Sequence, residues 1–150
     1  MAIETNKINY GGDIMLFIEG EPMAFSSAAK LDISLATRDI GSKDSGYWEE
    51  KAASKMSWTA SSDALMADTS LVGTTNTYSE LFTAMSTRTP IDVVFATAAG
   101  TAPSWTISAV VGKTKFTGTG FITSLSMNAP DGDNATYSVS IEGTGALVMA

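Results

Sequence analysis

Apolar and polar residues alternate one by one along segment after segment of this chain. Leu31, Ile33 and Leu35 are interleaved with Asp32, Ser34 and Ala36, Ile91, Val93 and Phe95 with Asp92 and Val94, and Tyr137, Val139 and Ile141 with Thr136, Ser138 and Ser140. A period of two sends successive side chains to opposite faces of a pleated strand. Each segment therefore reads as a strand with one face in a core and the other facing water or a channel. Trp105, Ile107, Ala109 and Val111 share a face in the same way, and Phe121, Leu125 and Met127 line one face with Ile122, Ser124 and Ser126 opposite. The chain is predicted to be mainly β. At 150 residues it fits one domain, residues 1–150, with a sizeable core.

Other stretches modulate that pattern. Residues 1–12 are polar, end in Gly11-Gly12 and read as an N-terminal arm, with a short strand at Ile8 to Tyr10. Asp13 to Ile18 is apolar on both faces, which predicts a strand covered on both sides. Gly20-Glu21-Pro22 marks a tight turn into a partner strand at Met23 to Phe25. Thr77-Tyr78-Ser79-Glu80 fits a capping box, Tyr78, Leu81, Phe82 and Met85 follow at helical spacing, and Pro90 stops further helix. A helix over 77–88 is expected, its apolar stripe covering an open end or face of the sheet. Gly112-Lys113 reads as a hairpin turn, Gly118 and Gly120 as a bulge, and the closing EGTGALVMA as a short edge strand.

Between two strand patterns lies DIGSKDSGYWEEKAASKMSW, residues 39–58. Residues 39–55 are far longer than a hairpin needs and are expected to form a long loop, with a turn or two of helix at Glu49 to Lys55 before Met56, Trp58 and Ala60 resume period two. Tyr47 and Trp48 stand side by side in this charged, Gly/Ser-rich setting. Two readings fit them: a lid on the domain's own core, or contact with a neighbouring subunit.

Chemistry is hard to find. There is no histidine and no cysteine, which removes the commonest general base, the commonest zinc ligand, thiolate sites and disulfides together. Gly112-Lys113-Thr114 imitates the end of a phosphate-binding loop, but Ile107 stands where that pattern requires glycine. Asp131-Gly132-Asp133-Asn134 has a calcium-like composition without the spacing, and reads as a hairpin turn. Glu49-Glu50 reads as a solvated pair, and the eight methionines as core fillers. No catalytic residue, cofactor or metal is expected. The net charge of −7 argues against a surface that grips nucleic acid, while an acidic wall past which nucleic acid slides is allowed. No apolar run reaches membrane-spanning length and no signal peptide is visible, so synthesis in a cytoplasm is expected.

Three segments together resemble the tail tube, or major tail, proteins of long-tailed bacteriophages, closest to the lactococcal phage type. They are residues 11–46, with a Lys-Asp-Ser-Gly core at 43–46; Trp48 through Trp58 to Asp63; and GTGFITSLSMNAPDGDNATYSVSIEGTGAL, residues 118–147. The resemblance implies an antiparallel β-sandwich or barrel with one flanking α-helix, similar to the inner-tube protein of type VI secretion machines. It implies hexameric rings stacked into a hollow virion tail tube for DNA ejection, assembled in a bacterial host, with tape-measure, tail terminator and baseplate proteins as partners and no membrane. By place in the chain, the 39–55 loop matches the family's inter-subunit loop, which makes Lys43, Asp44, Tyr47, Trp48, Glu49 and Lys51 candidate contacts. Asp32, Ser34, Ser124, Ser126, Thr136, Ser138 and Ser140 are candidates to line the lumen. Two alternatives stay open: the inner tube of a contractile injection system, and a monomeric β-sandwich that binds carbohydrate by stacking on Trp48 and Trp105.

Overall fold

The alternating segments pair into one antiparallel sheet. The computed structural model describes residues 14–23, 26–66, 77–100, 106–108 and 113–149. Its elements are β1 (Ile14–Ile18), β2 (Glu21–Pro22), β3 (Ser26–Asp39), β4 (Lys51–Leu65), α1 (Tyr78–Thr87), β5 (Ile91–Ala99), β6 (Thr106–Ile107), β7 (Lys115–Asn128) and β8 (Thr136–Met149). The strand order is β2-β1-β5-β7-β8-β4-β3, with the short β6 paired to β5. The sheet curls until β1 comes against β3. Its concave face then encloses the main core, and α1 lies over β7.

Pairing explains that core. Leu31, Ala60, Ile141 and Ile122 stand in one row across β3, β4, β8 and β7, and Ala29, Ser62, Val139 and Leu125 in the next. Leu16 and Ile18 of β1 and Val93 of β5 continue the same packed cluster. Ser62 is the polar member of these rows; its hydroxyl donates to the Ala28 carbonyl at 2.8 Å, which satisfies it inside the core. As expected, β1 is covered on both sides: Phe17 packs on the reverse face with Val94 and Ala96 in a second, smaller cluster. Glu19 and Gly20 form a two-residue turn with positive φ at both positions, 54° and 80°, which suits the twist of a tight hairpin. The strained Glu19 backbone is held by two bonds to Asp92: its N–H donates to the Asp92 carbonyl at 2.9 Å, and its carboxylate accepts the Asp92 N–H at 3.0 Å.

The helix forms where expected, between Thr77 and a left-handed Arg88. The Thr77 N–H donates to the Glu80 carboxylate at 2.8 Å. Leu81 is buried, and Tyr78 meets Tyr137 edge-on with ring centroids 5.6 Å apart. The stripe is only half used, because Phe82 and Met85 face solvent.

Several expectations are corrected. The connection after β3 spans residues 40–50, not 39–55: β4 begins at Lys51, opposite Asp39, and Glu49 to Lys55 forms no helix. Helix over so few residues is marginal in isolation, and the β3 ladder supplies a partner for nearly every residue from Lys51 on. The polar stretch from residue 61 is strand as far as Leu65. Phe121 does not share a face with Leu125. A register shift between Ile122 and Ser124 inserts one residue, so that Ile122 joins the core and Phe121 lies opposite Glu142 on the other face. The bulge expected at Gly118 corresponds to a shift between Thr117 and Thr119, accommodated on β8 by Gly145 at φ 79°. The closing segment continues β8 rather than adding a strand. The arm at 1–12, its strand at Ile8 to Tyr10, Phe25, Trp105, Ala109, Val111 and Gly112 lie outside the described residues.

Two features of the core generate predictions. Trp58 lies over a bed without side chains: a Cβ on Gly118 would come within 2.6 Å of its ring, and one on Gly143 would fall inside the ring's van der Waals envelope. Gly143→Ala is expected to lower stability by about 1–3 kcal/mol, the usual cost of overpacking, read as a lower urea midpoint with unchanged slope. Burial, and secondarily the negative charge of Glu80, push the Tyr137 phenol up to about 12. The unfolded phenol titrates near 10. The folded state thus holds the proton more tightly, and the associated stability is full below about pH 10 and lost as pH rises toward 12. Tyr137→Phe should flatten the fall in urea midpoint over that range. At pH 7 it should cost little, because the hydroxyl finds no partner among the described residues.

Candidate functional site

β3 and β4 stay paired over their whole lengths, from Ser26 opposite Ala64 to Asp39 opposite Lys51. β4 meets β8 only from Thr59 to Leu65. Beyond Thr59 the two strands leave the sheet as a free ribbon. Alternation continues along it: Ile33, Leu35 and Met56 project on the same side as the core rows but lie beyond the packed cluster, and they are 47%, 51% and 70% exposed. The expectation that Leu31, Ile33 and Leu35 all face a core therefore holds for Leu31, which is partly buried against it, and fails for the other two within one chain.

The ribbon ends in an ordered tip. Ile40 N–H donates to the Glu50 carbonyl at 3.0 Å and closes the base. Gly41 N–H donates to the Asp39 carboxylate at 2.8 Å, Ser42 N–H to the Ser45 hydroxyl at 2.9 Å, and that hydroxyl to the Glu50 carboxylate at 3.0 Å. Gly46 turns the chain through φ 72°, a conformation that glycine adopts without strain. Tyr47 and Trp48 then stand outward, 105% and 85% exposed. They are not folded back as a lid. Lys43, Asp44 and Glu49 share this tip, and Lys51, the first residue of β4, pairs with Glu49 at 3.0 Å. The backbone is fixed by its own polar groups while its two largest side chains stand in solvent, so the tip presents them in an ordered frame.

The seven polar candidates fall together on the face opposite the core. Lys30, Ser61, Ser140 and Ser124 form one row, Ala28, Asp63, Ser138 and Ser126 the next, and Leu65, Thr136 and Asn128 a third. Asp32 opposes Thr59, and beyond it Glu142 and Phe121. Ser34 is linked to Ser57 at 2.8 Å, and Ser138 donates to Asp63 at 2.6 Å. Lys30 pairs with Asp32 at 3.4 Å, both well exposed. This face is a carpet of short hydroxyls with scattered carboxylates. Among the described residues no group of three carboxylates is placed to hold a metal, and no helix is long and apolar enough to cross a membrane.

What sequence reasoning missed is the bare apolar side of the ribbon, Ile33, Leu35 and Met56. Alternation reports which residues share a face, but not whether a third strand lies beside the pair.

Comparison with known proteins gives these surfaces a context. Residues 92–149 match the family model described as phage tail tube protein. No curated protein matches the chain. Among solved structures, a chain in the tail of the empty gene transfer agent particle, refined with C6 symmetry, is similar at TM-score 0.71 and 18% identity over 95% of this chain and 99% of that one. A chain in the SPP1 tail tube is similar at TM-score 0.64 and 9% identity, over 93% and 77% of the two chains. A chain of an extracellular contractile injection system, in a structure of its sheath/tube terminator, is similar at TM-score 0.59 and 14% identity over 99% of both. The resemblance read from the sequence is thus borne out in the fold, which nearly the whole chain shares with chains of tail tubes, and in the match of residues 92–149 to the phage tail tube family model.

Proposed function

We propose that this protein is a structural subunit of a bacteriophage tail tube, assembling into hexameric rings that stack around a channel through which DNA is ejected. The observation that carries the reading is the ribbon, whose apolar side is about half exposed or more and whose aromatic tip stands in solvent. Apolar surface of this kind on an otherwise acidic protein is expected to be buried against another copy. Six-fold order is supported by the C6 symmetry of a tail whose chain shares this fold. Lys43, Asp44, Tyr47, Trp48, Glu49 and Lys51 are the inter-subunit contacts of this reading. Tape-measure, terminator and baseplate proteins are its further partners, and its role is mechanical rather than catalytic. Residues 1–150 act as one tube domain.

A second reading, the inner tube of a contractile injection system, is favoured by the similarity to a contractile-system chain. A sheathed particle or a neighbouring sheath protein would distinguish the two. Negative-stain microscopy of the purified protein at high concentration should show rings or tubes; a compact monomer at every concentration would favour the carbohydrate-binding alternative. Trp48→Ala, or replacement of residues 41–49 by Asn-Gly, should leave the far-UV circular dichroism and thermal midpoint nearly unchanged, since exposed substitutions usually shift stability by less than about 0.5 kcal/mol. Both should abolish or shorten the tubes, and tubes of normal length from either would refute the contact role.

Asp32, Ser34, Ser124, Ser126, Thr136, Ser138 and Ser140 line the channel in this reading. Lys30, the cation within these rows, is paired with Asp32, and the short hydroxyls and carboxylates around it offer DNA little against which to release counterions. The combined Ser124→Lys, Ser126→Lys and Ser138→Lys variant is expected to polymerise and then to retain short duplex DNA at 50 mM salt, releasing it at several hundred millimolar. Parent tubes should retain none. A reconstruction of the tube with these side chains on its outside would remove the assignment.

A further inference from the structure

At the root of the ribbon an apolar groove of about 600 Å³ opens between the last residues of β8 and the point where β4 leaves the sheet. Its walls include Ile33, Met56, Trp58, Phe116, Leu147 and Met149. Lys55 is the one charged residue among those lining it. We propose that this groove is the socket for Tyr47 and Trp48 of a second copy of the chain, so that the tip of one ribbon seats at the root of the next. The inference rests on the tube reading and names the surface that receives the tip.

Three observations select this occupant. The first is reach. From Met56 to the tip the ribbon runs about five residue pairs, roughly 17 Å at about 3.4 Å per residue, along two hydrogen-bonded strands that cannot fold back on themselves. A chain therefore cannot fill its own groove with its own tip. The second is charge. Residues 43–51 carry Asp44, Glu49 and Glu50 against Lys43 and Lys51, the latter paired with Glu49, which leaves the tip net acidic, and the groove offers Lys55. The third is area. Tyr and Trp bury on the order of 150–250 Å² each, so the pair contributes roughly half of the 800 Å² per partner found in a stable interface. One such contact does not hold a dimer, and becomes effective only where each subunit makes it twice, once as tip and once as socket. Tip and socket are different surfaces on one chain, so the contact is head-to-tail and propagates to a ring or a filament.

The absence of cysteine gives a clean test. Glu49→Cys sits beside the knob and Ala146→Cys on the groove wall, and both positions are exposed. Tubes of the double variant, mildly oxidised and run on a denaturing gel without reductant, should give a ladder of dimers, trimers and higher multimers. Each single variant should remain monomeric on the gel, and a mixture of the two should stop at the dimer. Tubes that form normally without a ladder would overturn the socket and leave the tube reading standing. A single variant that cross-links to itself as readily as the double would also overturn it, because the contact would then be two-fold. Failure of the cysteine-free parent to polymerise at any concentration would overturn the tube reading and the socket with it.

Discussion

The structure turns on the point where β4 loses its second neighbour. From Thr59 to Ala64 this strand is paired on both edges, by β3 and β8, and its inward residues Ala60, Ser62 and Ala64 are buried. One residue earlier, Trp58 spreads its ring over Gly118 and Gly143. The missing Cβ atoms are what let the ring lie flat against the strands. Past it, β4 keeps only β3. A two-stranded ribbon is marginal in water by itself. This one is anchored at its root by a buried aromatic and stiffened at its tip by short polar bonds. Rigidity at both ends is what makes a protruding element useful as a contact: the ordering cost is met during folding rather than at association.

Much of this was legible in the sequence, for physical reasons that differ between elements. The helix was readable because its signals are local: Thr77, Glu80, the apolar spacing and Pro90 act within a few residues of one another. Strand identity and facing were readable from alternation, as in β8, where Tyr137, Val139 and Ile141 are all buried. Strand extent was not. Lys51 to Lys55 carries helix-compatible residues, and its extended form comes from pairing with residues of β3 more than ten positions away. Facing failed at Phe121, because an inserted residue reverses parity and no glycine or proline marks it. The candidate contact residues could be located because they sit in a long polar stretch. The socket residues could not, because Ile33, Met56, Phe116 and Met149 are distant in sequence and each reads as an ordinary core position.

The two faces of the sheet illustrate how one pattern serves two ends. The rows that bury Leu31, Ala60, Ile141 and Ile122 alternate with rows of Ser61, Ser140 and Ser124. Changing the register by one residue would exchange them, so the same hydrogen bonds that build the core fix the chemistry of the outer face. That face is short-chained as well as polar. Serine and threonine project little beyond the backbone and carry no charge, and the nearby carboxylates repel a polyanion. A surface of this composition has little affinity for a polyanion, as the proposed channel wall requires.

Two features coincide on β3, and together they constrain what could cover it. It stands at one end of the described strand order, with its ribbon half away from β1, so alternate residues there offer backbone groups outward, and that half also carries the exposed Ile33 and Leu35. Either feature alone invites indiscriminate association. The strand counters this with Lys30, Asp32, Arg38 and Asp39, and the whole molecule carries −7, so random encounters between copies are repelled at long range. Association then requires a geometry that covers the apolar side, satisfies the edge and keeps like charges apart at the same time. A head-to-tail arrangement sets the tip of one ribbon against the root of another, acidic residues facing Lys55, and each added subunit presents the same open surface again. In the proposed arrangement the contact repeats rather than closes, because tip and socket are different surfaces of one chain.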